Sequence, residues 1–398
     1  MDITIYPSKL KGNITAIPSK SQAHRLLICA AFSDKPTTLY CLETNQDIEA
    51  TAGCLNALGA TICRTKDGYT VFPVKDIPKS ADIDCGESGS TLRFILPIVC
   101  ALGIDTTLHM SGRLPYRPLS PMWEELERMG CKLTRPTDTT IHASGKLHAG
   151  EYTIAGNVSS QFITGLLFAL SLLEGKSKIT VTGKLESKPY IEMTQKALTA
   201  FGVQTGKFEV ETCLPFHSPG SISVEGDWSN GAFYLVAAAL GNDVAVLNLD
   251  PNSPQGDRTI TDILASFVEN PSVSAADIPD LVPILAIYFA AKGGAVFTDI
   301  ARLRLKESDR VTSVIDLLQS LGIHAEADNN TMRVSGGIFS GGIVDACGDH
   351  RIAMAAGIAA TIANGPVTIL GADCVAKSYP AFWQEYKRLG GKYEQYIR

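Results

Sequence analysis

The chain has 398 residues, with 35 Lys and Arg against 41 Asp and Glu, for a formal net charge of −6. That length exceeds one compact core and suits two domains, and the acidic balance excludes nucleic acid as the expected partner, since a phosphate-backbone binder carries a basic surplus. Hydrophobic residues make up 45% and charged residues 19%, with 35 Gly and 20 Pro, which describes an ordered, loop-rich globular protein.

The chain opens MDITIYPSKLKGNI, with no basic segment leading into an apolar run, so no secretory signal is expected and the mature chain is expected to begin at Met1. Further along, one phrase recurs: a short amphipathic helix ending in an apolar residue plus Gly, then a strand-like run. It appears at Leu58-Gly59, Met129-Gly130, Phe201-Gly202, Leu321-Gly322 and Leu389-Gly390, with a degenerate sixth copy around Phe267. Each Gly suits a left-handed helix end, and five or six copies in one chain indicate a repeat architecture.

A second phrase interleaves with the first, a small polar start to an almost uncharged helix. Copies begin at Ser19-Lys20-Ser21, Glu87-Ser88-Gly89-Ser90, Ser159-Ser160-Gln161, Asp227-Trp228-Ser229, Ile278-Pro279-Asp280 and Gly348-Asp349-His350. Helices apolar on most faces need cover on most sides, which puts helices inside and sheets outside. Six such units, three per domain, are expected, with a linker near VEGDWSNG flanked by Gly226 and Gly231. The uncharged stretch between Arg351 and Asp373 is long enough to span a bilayer, but Asn364-Gly365-Pro366 interrupts it. It reads as a buried helix, a turn and a strand, with no membrane span. The ten cysteines form no C-x-x-C pair; they read as core filler in a reducing cytoplasm, and no metal site is indicated.

Cations gather at several predicted helix starts. Lys20 and Arg25 fall in the opening turns of one helix, where they oppose the macrodipole unless an anion binds there. Arg304-Leu305-Lys306-Glu307-Ser308-Asp309-Arg310 places three cations and two carboxylates before the helix VTSVIDLLQSLG. Charge runs usually mark a solvated face, but Ser308-Asp309 is a good capping sequence that would fix Lys306 and Glu307 ahead of the helix. A Lys-Glu neighbour pair so placed can exchange a proton with substrate if burial draws the two pKa values together. Arg351 is the last charge before a long uncharged run and needs an anionic partner or water. Arg117 and Lys377 fall in turn-like contexts, and His24 reads as a packed histidine.

In order along the chain, PSKSQAHR, ESGSTLRF, GRLPYRPL, NVSSQFITGLL, ESKPYIEMT, VEGDWSNGAF, IPDLVPILA, RLKESDR, GDHRIAMA and CVAKSYP resemble the EPSP synthase family of 3-phosphoshikimate 1-carboxyvinyltransferases. The resemblance implies a two-domain inside-out α/β barrel, each domain three βαβαββ repeats with buried helices and outer sheets. The first domain would be 18–225, mainly binding shikimate 3-phosphate. The second would be 1–17 with 226–398, mainly binding phosphoenolpyruvate, and the active-site cleft would lie between them. The implied reaction moves the enolpyruvyl group of phosphoenolpyruvate to the 5-hydroxyl of shikimate 3-phosphate, releasing phosphate, with no cofactor, in a cytoplasmic monomer of chorismate biosynthesis.

By the same resemblance, Lys20, Ser21, Arg25, Ser159, Ser160, Gln161, Ser187, Tyr190, Asp280 and Lys306 bind shikimate 3-phosphate. Lys20, Gly89, Arg117, Gln161, Arg310, Arg351 and Lys377 would hold phosphoenolpyruvate. Asp280 matches the proton acceptor, Glu307 the residue assigned to protonating the methylene, and Lys20 and Lys306 are the cationic partners; which group moves which proton is left open by the sequence. Two positions depart from the pattern: Arg302 stands where many members have an Asn, so it is left out of the substrate set, and Phe94 stands where a Pro is frequent. A related transferase acting on UDP-N-acetylglucosamine commonly has a reactive cysteine near the Arg117 position, and Gly112 to Pro121 contains none. A non-catalytic anion binder would have lost the proton-transfer groups, whereas Lys20, Asp280 and Glu307 are all present.

Overall fold

The computed structural model describes residues 1–206, 208–211, 215–266 and 268–396. The chain divides into two compact units, Pro18–Glu225 and Met1–Ile17 with Gly226–Arg398, and each has its own apolar core.

In the unit Pro18–Glu225 the helices are α1 (Lys20–Ala31), α2 (Gln46–Ala57), α3 (Gly89–Leu102), α4 (Met122–Arg128), α5 (Ser160–Leu170) and α6 (Lys188–Ala200). Three sheets surround them, and each contains one parallel strand pair. These pairs are Ser221–Ser223 with Thr37–Tyr40, Ser80–Asp84 with Asp105–His109, and Glu151–Ala155 with Lys176–Thr182. Antiparallel strands complete each sheet. Along the middle pair the chain runs strand, α3, strand, α4, then the antiparallel strands Cys131–Thr137 and Thr140–Gly145.

The other unit repeats the plan with α7 (Trp228–Ala239), α8 (Ile260–Ala265), α9 (Val282–Ala291), α10 (Arg310–Ser320), α11 (His350–Ala359) and α12 (Phe382–Arg388). Its parallel pairs are Lys11–Thr15 with Asp243–Leu247, Ser272–Ser274 with Gly294–Thr298, and Gly342–Asp345 with Val367–Leu370. The N-terminal strand Asp2–Tyr6 joins the last sheet between Val367–Leu370 and Lys392–Tyr396. The ends of the chain therefore belong to one unit.

Burial follows the expected layering. Every residue of α9 from Val282 to Ala290 is buried, as is all of α11. Strands such as Glu151–Ala155 bury alternate residues, because only one sheet face is covered. In the repeated helix-end phrase, Leu58, Met129, Phe201, Leu321 and Leu389 are the terminal caps. The glycines that follow all have positive φ, from 80° at Gly202 to 113° at Gly130, a conformation that costs glycine no Cβ clash.

Three expectations need correction or limits. Gly231 is not in a linker; it lies inside α7, and the chain passes between units at Glu225–Gly226 and at Ile17–Pro18. Asp280 does not start a helix, because α9 begins at Val282 with Leu281 as its cap and Asp280 sits in the preceding turn. The degenerate repeat copy around Phe267 falls on a residue outside those described. Among the described residues no helix is long and apolar enough to cross a membrane.

Candidate active site

Within Pro18–Glu225 the predicted polar residues sit at helix starts because small hydroxyl side chains cap them. Ser19, Ser88 and Ser159 each accept a bond from the first turn of α1, α3 and α5, leaving other first-turn N–H groups available to an anion. Lys20, at the start of α1, donates to Asp47 Oδ2 at 2.9 Å, with side-chain exposures of 15% and 10%. Arg25 lies a turn further in and is buried. It donates from Nε to Thr194 Oγ1 at 2.8 Å, from Nη2 to the Tyr190 carbonyl at 2.9 Å and from Nη1 to the Ser21 carbonyl. The structure thus joins Ser21, Arg25 and Tyr190. Burial lowers the Arg25 guanidinium to about 10, so it stays cationic at neutral pH. Ser187 caps α6 from a left-handed backbone, φ 53°, and is buried.

Beside this cluster lies a second one at the start of α3. A Cβ on Gly89 would come within 2.7 Å of both Arg117 Nη1 and Arg93 Nη1, so the absent side chain is what lets two guanidinium groups approach the helix end. Arg93 Nη1 donates to Gln161 Oε1 at 2.8 Å, and Gln161 Nε2 donates to Ser90 Oγ at 2.9 Å. His24 is a packed residue as read, fully buried with Nδ1 2.7 Å from Thr51 Oγ1. Burial, then the Lys20 and Arg25 charges, hold its pKa well below the usual histidine range.

The unit Met1–Ile17 with Gly226–Arg398 gathers Asp280, Lys306, Glu307, Arg310 and Arg351. Arg310 has a fully buried side chain. It reaches Asp280 Oδ1 at 2.7 Å, Glu307 Oε2 at 2.6 Å and Asp349 Oδ2 at 3.0 Å. Asp349 caps α11 through the Arg351 N–H at 3.0 Å. Arg351 Nη2 lies 3.3 Å from Asp280 Oδ2, and Lys306 Nζ 3.6 Å from Asp280 Oδ1. Asp309 caps α10, and Ser308 is buried against Asp349 at 3.2 Å, so the segment RLKESDR is a built cluster and not a solvated charge run. Lys306 faces Asp280 and Glu307 faces Arg310. Lys377 is buried at the end of the 3-10 helix Ala372–Lys377, which packs on α11.

Charge and burial set the chemistry of this cluster. Burial alone would raise the Asp280 carboxyl, but Arg351, Lys306 and Arg310 outweigh it and hold it well below the usual range. Burial lowers Lys306 to about 8 against the pull of Asp280. The cluster therefore pairs a carboxylate whose basicity is suppressed by three cations with a lysine that can lose its proton near neutrality.

Arg93, Asp47, Asp349 and Asp257, a buried carboxyl that the Asp280 charge acts on, were missed from the sequence. Arg93 is the lone charge in an uncharged helix, the feature that singled out Arg351, and the same reasoning would have found it. Asp349 adjoins His350 and Arg351 in a motif already quoted. Asp47 and Asp257 carry no comparable signal.

A family model described as EPSP synthase (3-phosphoshikimate 1-carboxyvinyltransferase) matches residues 5–386. A 3-phosphoshikimate 1-carboxyvinyltransferase of Clostridium kluyveri is 36% identical over 421 residues, spanning 99% of this chain and 98% of that protein. Its counterpart in Clostridium acetobutylicum is 38% identical over 419 residues, spanning 98% and 97%. An EPSP synthase structure from Acinetobacter baumannii superposes with a TM-score of 0.79 at 25% identity, over 99% of this chain and 100% of that one. With the model and the relatives matching nearly end to end, the chain belongs to the EPSP synthase (3-phosphoshikimate 1-carboxyvinyltransferase) family.

Proposed function

We propose that this chain transfers the enolpyruvyl group of phosphoenolpyruvate to the 5-hydroxyl of shikimate 3-phosphate and releases inorganic phosphate, acting as a cytoplasmic monomer in aromatic amino acid biosynthesis. The observation that carries the reading is the cluster in which Asp280 lies against Lys306, Arg310 and Arg351 while Glu307 lies against Arg310, on a chain of this family.

The hydroxyl oxygen adds to C2 of phosphoenolpyruvate while the methylene carbon gains a proton; the tetrahedral adduct then loses a methyl proton and phosphate, restoring the double bond. Asp280 accepts the hydroxyl proton and Glu307 serves the carbon. In the ligand-free protein Asp280 is a weak base because three cations stabilise its anion. An incoming phosphate or carboxylate that engages Arg351 and Lys306 shares those charges, which raises the basicity of Asp280 when substrate is present. Ser21, Arg25, Ser159, Ser160, Ser187 and Tyr190 hold shikimate 3-phosphate. Gly89, Arg117, Arg310, Arg351 and Lys377 hold phosphoenolpyruvate, and Lys20 and Gln161 serve both. The two sets of groups are carried by different units of the chain.

Phosphate release in chelator-treated buffer with phosphoenolpyruvate and shikimate 3-phosphate is the direct test, with UDP-N-acetylglucosamine as the alternative acceptor. Turnover with the first acceptor alone is expected, and turnover only with the second would overturn the assignment. Glu307→Gln is expected to cut kcat by about 10²–10⁴, the usual share of general acid–base assistance, with little change in substrate affinity. Wild-type turnover in that variant would remove Glu307 from the mechanism.

A further inference from the structure

We infer that Arg93 is a positioning residue that fixes which face of the Gln161 amide meets the substrates. The inference rests on the reading above, in which Gln161 touches both substrates. Arg93 is 3% exposed and projects from an otherwise uncharged stretch of α3, so its guanidinium must be held by fixed partners. Nη1 donates to Gln161 Oε1 at 2.8 Å, Nη2 donates to the Pro118 carbonyl at 3.0 Å, and the guanidinium carbon lies 5.7 Å from the centre of the Phe162 ring.

An amide left to itself can rotate by half a turn and exchange its acceptor for its donor. Here it cannot. Arginine only donates, so the Gln161 atom facing it has to be the carbonyl oxygen, and the nitrogen is directed to Ser90 Oγ at 2.9 Å. The Gln161 NH₂ group keeps a second hydrogen for an anionic ligand at the helix start. The same fork carries a second constraint, because Pro118 directly follows Arg117. One guanidinium thus fixes the orientation of a proposed substrate donor and holds the segment that carries a proposed phosphoenolpyruvate cation. A lysine could not replace it, since a single ammonium on a flexible stem does not present two donors in a fixed fork.

The test is a double-mutant cycle on steady-state kinetics with both substrates, using Arg93→Met, Gln161→Met and the double variant. Arg93→Met is expected to raise KM about 10- to 100-fold, the scale of one charge-assisted hydrogen bond, with a smaller change in kcat. The double variant is expected to fall clearly short of the product of the two single effects, because the two residues share one contact. Effects that multiply would overturn the inference. So would a loss of kcat and thermal stability with KM unchanged, which is what a purely structural arginine gives. Arg93→Lys keeps the charge and carries the test if the Met variant does not fold; a wild-type KM in it would show that the fork is not needed and sink the idea. An inactive wild type overturns both readings, whereas an active wild type with independent effects overturns this one alone.

Discussion

Asp257 sits 2% exposed in the 3-10 helix Gly256–Thr259. Burial, reinforced by the Asp280 charge and only partly offset by Arg351, raises its carboxyl to about 7. The native state therefore holds a proton that the unfolded chain releases near 3.8, and the contribution of Asp257 to stability falls as pH rises from about 4 to 7, then levels off. Asn has no proton to lose, so Asp257→Asn is expected to gain stability relative to wild type as pH rises through that window. Denaturation midpoints at pH 5 and pH 8 check this; a difference between the two proteins that does not change with pH would rule it out. The residue lay in Gln255-Gly256-Asp257-Arg258, a run with no period or charge cluster to mark it. Lys306 and Glu307 were legible because three cations and two carboxylates within seven residues form an unusual concentration. Their partners were not, since Asp280 and Asp349 come from other parts of the chain.

Among the elements, α3 and α5 meet at Gly165, where a Cβ would stand 2.1 Å from the Arg93 carbonyl oxygen and 2.8 Å from Pro97 Cγ. Backbone cannot yield cheaply, and the helices would have to separate. Gly165→Ala is expected to destabilise the protein by about 1–3 kcal/mol, the usual range for overpacking a filled core, read as a lower denaturant midpoint at unchanged slope. Since the obstructed atom belongs to Arg93, KM should rise with the same substitution. Unaltered stability and kinetics would show that the contact relaxes freely. The sequence marked both helices as almost uncharged and capped by small polar residues. It offered no means of seeing that this glycine is the notch into which the neighbouring proline fits, because a close approach between two helices leaves no local period.

For the whole molecule, the proposed substrate groups divide between units: Lys20, Arg25 and Arg117 belong to Pro18–Glu225, and Arg310, Arg351 and Lys377 to the other. The proposed reaction draws on both sets, so Arg25→Ala and Arg351→Ala, one in each unit, are each expected to cut kcat/KM by about 10-fold or more, the scale of a lost charge-assisted hydrogen bond. Steady-state phosphate release with both substrates checks this for each variant. Wild-type turnover in either variant would remove that unit's arginine from the reading.

The repeat phrases alone determined that helices would lie inside sheets in six similar units, because helix ends, glycine punctuation and uncharged helices are local properties that any single copy displays. Tertiary structure decided which charges meet. Arg310 lies between Asp280, Glu307 and Asp349, and Arg93 between Gln161 and Pro118, through contacts spanning 3 to 68 positions of chain. Coulomb attraction and hydrogen bonding act across a few ångströms of space, and chain order alone does not specify which distant positions packing will bring that close.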